Sequence, residues 1–455
     1  MKNADLLITN ARILSEENQT FSVVDASIAI QGGRILEIGE QKNLAGIYDA
    51  RKTWDAKGKL LLPGMVNTHC HLFQTFMRSL GKELTFMDWV HRSVRLFMPL
   101  LDDEAIYLAA MMGCLEAIRT GTTTLVDYMY ANVKPRNADA VLRAFDDCGI
   151  RGVLALGLTD VKQLPGSPVP STTFSTVEDS LADIERMKLD YAGHPRVSFM
   201  LAPSVIWAMT RDGLADAARY AKEKNMVMTM HLLETADDDR FSQEKYGKRT
   251  TRMLEDIGVL DANFLAVHAV RLIEEDFDLF ERYHTSVSHN PVANMILGSG
   301  VAPVCELTRR GIPIGLGTDG AASNDSQNMI EVMKSAVLLQ KVHHHDPNVI
   351  TARQVFRMAT SEGAQTIKMD DQVGTLSPGK RADIIVVDLD LPNTTPWYEP
   401  VTSLVYSGSE RNISAVFIEG QLVLEAGKTT RVNEADLIHR AQQKATELYK
   451  IAYAK

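Results

Sequence analysis

Leu60-Leu61-Leu62-Pro63-Gly64-Met65-Val66-Asn67-Thr68-His69-Cys70-His71 is an apolar run that ends in two histidines one residue apart. Side chains alternate faces along a strand, so if the run is extended, His69 and His71 point one way and Cys70 the other. Two imidazoles on one face of a strand end make half a metal site. An isolated His-x-His is ordinarily two unrelated histidines near a turn. What gives this pair weight is downstream, where His231, Glu234, His268 and Asp319 also stand at the ends of apolar, β-branched runs.

Working outward, strand and helix patterns alternate through the middle of the chain. Strands are expected at 60–68, 122–127, 152–157, 197–202, 227–231, 264–268, 285–288 and 312–317. Helical spacing separates them, as with Leu214, Ala217, Ala218 and Ala221. Such a series fits an α/β fold, a (β/α)8 TIM-like barrel, with an open doubly wound sheet as the alternative. The barrel is preferred because its reactive residues gather at the carboxyl ends of its strands, where all six polar residues fall. The chain ends read differently. Short β-rich runs occupy 6–14 and 26–38, with Gly32-Gly33 suited to a hairpin turn, and further strands are expected at 382–388, 403–406 and 414–418. Neither end can bury a core alone, so the two are expected to pair. The predicted organisation is 1–57 and 375–455 as a composite β-sandwich domain with a terminal helix, and 58–374 as the barrel. The terminal helical run through Ile438, Ala441, Ala445 and Leu448 is expected to pack on its own domain or on a neighbouring subunit.

The chain has 455 residues, 45% of them hydrophobic and 23% charged, which is globular composition. A net charge of −10 without a dense Lys/Arg run argues against nucleic acid and anionic membrane surfaces as partners. Cys70, Cys114, Cys148 and Cys305 form no Cys-x-x-Cys pair and suggest no disulfide framework, which fits a reducing cytoplasm. No signal peptide or membrane-spanning run is legible.

Three imidazoles and a carboxylate suit one divalent ion, zinc or ferrous iron, which lowers the pKa of a bound water to about 7 and makes hydroxide available. Glu234, three residues after His231, is placed to carry a proton from water to a leaving group. His268 would hydrogen-bond the attacked atom or the hydroxide, and Asp319 would take the first proton.

These residues, in their order, resemble the amidohydrolase superfamily. The resemblance rests on Pro63–His71, His231-Leu232-Leu233-Glu234-Thr235, Val267-His268-Ala269, Ser288–Asn294, Gly317–Asn324 and the tail Gly374–Asp383. It is nearest to the mononuclear deaminase and chlorohydrolase branch, with its guanine, 8-oxoguanine and methylthioadenosine/S-adenosylhomocysteine deaminases and s-triazine hydrolases. The resemblance implies a metal held by His69, His71, His231 and Asp319, with Glu234, His268 and Asp319 catalytic. Members with two metals use a carboxylated lysine at the end of the fourth strand. Here Val197–Pro203 contains none, so one ion is expected.

For substrate, the resemblance suggests that Gln74 hydrogen-bonds a heteroaromatic ring and Trp89 covers it, while His289 and Asn290 read ring substituents. Gln74 read blandly only begins a helix, and Trp89 is a core tryptophan. Ala202-Pro203-Ser204-Val205 lacks the histidine usual in nucleoside-type deaminases, and Gly320 stands where chlorohydrolase-like members carry a polar side chain. The expected reaction is hydrolytic deamination of an aminated purine, pterin, pyrimidine or s-triazine ring. Dechlorination or cyclic-amide opening at the same site is the alternative, and a catalytically silent binding protein a further one. A homodimer or higher homo-oligomer is expected. His343-His344-His345 reads as a solvated helix end.

Overall fold

The computed structural model describes residues 1–17, 20–164 and 171–454. Its strands form two sheets. The first joins the chain ends: β1 (Lys2–Glu17), β2 (Thr20–Gln31), β3 (Arg34–Gly39), β4 (Tyr48–Asp55) and β5 (Leu60–Pro63). The second holds β6 (Met65–His71), β7 (Thr122–Met129), β8 (Arg151–Leu158), β9 (Val197–Pro203), β10 (Met228–Leu232), β11 (Phe264–His268), β12 (Ser286–His289), β13 (Ile314–Leu316) and β14 (Asp319–Gly320). The chain then returns to the first sheet as β15 (Ile384–Val387), β16 (Ile413–Ile418), β17 (Gln421–Glu425) and β18 (Lys428–Thr429).

All the ladders of the second sheet are parallel, and helices connect most of its strands. β13 and β14 are two halves of one eighth strand. β14 pairs with β6, Asp319 opposite Cys70 and Gly320 opposite His71, which closes the ring into the expected TIM-like barrel. β6, β7, β11 and β12 are buried at every position, as strands covered on both faces must be.

The run 60–71 is not one strand. β5 pairs antiparallel with β15 in the chain-end sheet, and the chain crosses into the barrel at Gly64, where a Cβ would overlap the side chain of Thr123. The strand expected at 403–406 is instead a helix, Pro400–Ser407. Glu399 accepts from Thr402 N–H, Pro400 starts the helix, and Val401, Leu404 and Val405 form its buried face. The terminal helix, Glu434–Ala452, lies against the barrel helix Asp103–Arg119, with Lys444 Nζ 2.7 Å from Asp102 and Arg119 2.5 Å from Glu434. Its partner is therefore the barrel rather than its own sheet. His343 and His344 stand at the exposed end of the helix Met329–His344, whose other residues include a buried face, so the solvated helix end is as expected.

Barrel and chain-end sheet are tied by a buried charge cluster. Arg151 on β8 donates to Asp383 at 2.7 and 3.0 Å and to Glu419 at 2.6 Å, and all three side chains are almost fully buried. Asp383 also accepts from Glu419 N–H at 2.8 Å.

Candidate active site

The ends of β6, β10, β11 and β14 converge, bringing His69, His71, His231, His268 and Asp319 into one cluster. Asp319 Oδ1 lies 3.3 Å from Nε2 of both His69 and His71, and Nε2 of His231 lies 3.2 Å from Nε2 of His71. His69, His71 and Asp319 place one ligand atom each within 4.8 Å of one another, as do His69, His231 and His268.

The tautomers follow from the backbone carbonyls behind the rings. Nδ1 of His71 donates to the Tyr128 carbonyl at 2.8 Å, and Nδ1 of His231 donates to the Ser204 carbonyl at 2.7 Å. Each ring in its neutral form therefore presents a bare lone pair at Nε2, and these two lone pairs face each other at 3.2 Å. Two acceptors at that distance repel unless a cation lies near both. Nδ1 of His69 has no hydrogen-bond partner, and its Nε2 has only the 3.3 Å approach to Asp319. Burial also pushes the protonation of these rings down, His69 to about 4 and His71 and His231 to about 3, so each is a neutral ligand at pH 7. The donor set fits a divalent transition ion.

Asp319 is oriented by the Gly320 N–H and Ser323 Oγ, both at 2.8 Å. Burial raises its carboxyl, but the His69 contact and the neighbouring histidines outweigh this and hold it well below the usual carboxylate range. Glu234 Oε1 accepts from Ser299 Oγ at 3.1 Å, and its Oε2 stands 3.5 Å from His268 Nε2. Burial raises the Glu234 carboxyl above its ordinary value. His268 donates from Nδ1 to Asn294 Oδ1 at 2.9 Å, which turns Nε2 toward Glu234. His268 and Asp319 both adopt positive φ, 71° and 62°, a costly backbone for non-glycine residues that aims their side chains from the strand ends.

A cavity of about 860 Å³, counted out to its mouth, opens over this cluster. His71, His231, Glu234, His268 and Asp319 form part of its wall, with Trp89, Trp207, Tyr130, Asp238 and Arg95. Trp89 is fixed by its Nε1–H to the Ala322 carbonyl at 3.1 Å. Gln74, His289 and Asn290 are not among the lining residues. Gln74 donates to Tyr130 Oη at 2.8 Å, and a Cβ at residue 320 would overlap its Oε1, so Gly320 makes room for it. His289 is buried with both ring nitrogens unpartnered, and Asn290 Nδ2 lies 3.4 Å from His268 Nδ1.

Sequence reasoning passed over several of these groups. Tyr130 directly follows β7, so the strand-end rule applied to that strand finds it. Asp238, one helical turn after Glu234, accepts the Glu234 N–H at 3.1 Å, and burial followed by the Glu234 charge pushes its carboxyl up to about 7. Asn294 closes the Ser288–Asn294 motif, which by itself gives it no role, and Ser299, five residues further on, carries no local signal.

A parallel barrel with imidazoles and carboxylates at the carboxyl ends of its strands defines a class, the barrel hydrolases built around a metal-type centre. Residues 60–423 match the model of the amidohydrolase family, and the chain belongs to that family. It is 32% identical over 448 residues to 5-methylthioadenosine/S-adenosylhomocysteine deaminase 1 of Syntrophus aciditrophicus, covering 97% of each chain. It is 33% identical over 451 residues to the 5'-deoxyadenosine deaminase of Methanothermobacter thermautotrophicus, covering 98% of this chain and 100% of that one. The fold is shared with a crystal structure of an adenosine deaminase from Xanthomonas campestris with bound zinc, at a TM-score of 0.90, 24% identity and 99% coverage of both chains. The protein is thus a hydrolytic enzyme acting on C–N bonds, and these relatives support the expected deaminase chemistry on a nitrogen heterocycle. No helix among the described residues is long and apolar enough to cross a membrane.

Proposed function

We propose that the protein removes an exocyclic amine from an aminated nitrogen heterocycle as ammonia, with one zinc ion held by His69, His71, His231 and Asp319. The observation that carries this reading is the pair of lone pairs at Nε2 of His71 and His231, 3.2 Å apart beside the raised carboxyl of Glu234. When bound, a divalent ion supplies the Lewis acidity that makes water ionisable near neutrality.

The chain's own residues handle the protons. Glu234, with its Oε1 fixed by Ser299, takes a proton from the attacking water at Oε2 and delivers it to the ring nitrogen beside the attacked carbon. His268 Nε2, across from that oxygen, hydrogen-bonds the oxygen added to the ring. Asp319, expected from the sequence to take the first proton, in this reading relays the second, from the oxygen added to the ring to the departing amine. The balance is one water consumed, one C–O bond formed, one C–N bond broken and one ammonia released. Trp89 and Trp207 offer flat apolar walls for the ring, which keeps the carbon in position for attack.

The test is ammonia release from aminopurines, pterins, aminopyrimidines and aminotriazines, each purine offered as base and as nucleoside, together with metal analysis of the purified protein. Ammonia from at least one class and about one zinc per chain are expected. Turnover confined to chlorinated rings or cyclic amides would replace the reading.

A further inference from the structure

Among the described residues four arginines carry a buried guanidinium nitrogen with no hydrogen-bond partner: Arg95, Arg196, Arg357 and Arg381. Three of them are neutralised by a carboxylate, Arg196 by Asp146, Arg357 by Glu16 and Arg381 by Glu419. Among the described residues, Arg95 has no such partner. Its Nη1 donates to Nδ1 of His91 at 3.0 Å, which orients the guanidinium and uses one arm, while Nη2 is left buried and unpaired. His91 is itself held neutral, by burial and by the Arg95 charge, so it supplies no counter-charge.

Arg95 lies in the wall of the catalytic cavity. Its segment is helical with one widened turn, Phe86–Trp89, Val90–Val94 and Arg95–Phe97, and the cavity-facing residues include Phe86, Trp89, Val94 and Arg95. Such widened turns occur frequently at functional sites. A guanidinium stays charged at any physiological pH, and one that lines the cavity with no carboxylate beside it among the described residues leaves a positive charge there that an anion would balance. Among the described residues the other charged groups of the wall, Glu234, Asp238 and Asp319, are all acidic, and Arg95 is the one guanidinium or ammonium there.

We infer that Arg95 is a specificity-determining residue that receives an anionic oxygen of the substrate, a carboxylate arm or an ionised ring hydroxyl. The inference deepens the proposed deaminase reading: the preferred heterocycle carries an acidic group as well as the amine. Trp89, six residues earlier on the same segment, would flank the ring that bears it.

Binding of already deaminated rings tests this without turnover. Dissociation constants are measured by calorimetry on the metal-loaded protein for uracil-6-carboxylate against its carboxamide, lumazine-6-carboxylate against its carboxamide, and barbiturate against 6-methoxyuracil. A charge-assisted hydrogen bond predicts about ten- to hundredfold tighter binding of the anion in at least one pair. Preference in a carboxylate pair identifies a carboxylate arm, and preference in the barbiturate pair alone identifies a ring oxyanion. Arg95→Gln should reduce the preference to less than about threefold, and Arg95→Lys should retain part of it. No preference in any pair, or the same preference in Arg95→Gln, overturns the inference. The wild-type comparison stands even if a variant misfolds. Absence of ammonia from every amine, with the anion preference intact, would instead refute the deaminase reading and leave Arg95 as an anion site.

Discussion

Replacing Glu234 by glutamine separates proton transfer from every other function of the site. The amide keeps the side-chain length, and its oxygen can still accept from Ser299 Oγ, which lies 3.1 Å from Oε1 in the native protein. Its NH2 then faces Nε2 of His268, where the carboxylate oxygen stood at 3.5 Å, and a donor meets a lone pair without a clash. The ligand-type cluster of His69, His71, His231 and Asp319 loses none of its members. What disappears is the buried carboxyl 3.5 Å from His268 Nε2, whose raised affinity for protons suits it to carry one between water and ring. Loss of one acid–base group lowers the rate by about 10²- to 10⁴-fold. That is about 2.7 to 5.4 kcal/mol of transition-state stabilisation at 1.36 kcal/mol per factor of ten. The assay pairs kcat from ammonia release with elemental analysis of the same preparation, and unchanged metal content with kcat down by at least about a hundredfold is expected. Metal loss in the variant would show that Glu234 is a ligand, and a kcat within about tenfold of wild type would show that the proton travels by another route.

His231→Ala should lower bound metal to a small fraction of the wild-type amount by elemental analysis, because it removes one of the two facing Nε2 lone pairs. Asn294→Leu removes the acceptor that fixes the His268 tautomer, and kcat should fall about 10- to 100-fold, the usual range for outer-shell partners, with the circular dichroism spectrum retained. Arg151→Met leaves Asp383 and Glu419 buried without their shared cation. It should destabilise the protein by about 3 kcal/mol, at the lower end of the range for broken buried pairs because Glu419 keeps Arg381; denaturant midpoints measure this. His289 gives a pH signature. Burial, and then the charge of His268, pushes its protonation from 6.5 down to about 3. Between those values the unfolded chain binds a proton there that the folded chain does not, so this residue contributes stability that rises with pH through the window and is lost on acidification. His289→Asn should therefore flatten the pH dependence of unfolding free energy between about 3 and 6.5 relative to wild type.

Strand ends were legible from sequence because their signal is local. A β-branched apolar run bounded by polar residues reports its own conformation, and a two-residue period puts His69 and His71 on one face whatever the rest of the chain does. Eight such runs separated by helical spacing leave few topologies, and in a barrel they all end on the same rim. Where a run is short, the signal fails. Ser403–Tyr406 is four residues long and fits either period; the cap at Glu399, Pro400 and the apolar neighbours of Val401 and Leu404 decide for helix. The crossing at Gly64 depends on Thr123, which lies 59 positions further on.

Packing sets the state of these groups rather than their identity. The sequence names His71 and His231, but which nitrogen of each ring is free depends on the carbonyls of Tyr128, on β7, and Ser204, just after β9. It contains Arg95 among many arginines, and only packing shows that this one has no carboxylate partner among the described residues and lines the cavity. Tautomer, burial and missing counter-charge are properties of neighbours that lie far apart along the chain, and no local pattern encodes them.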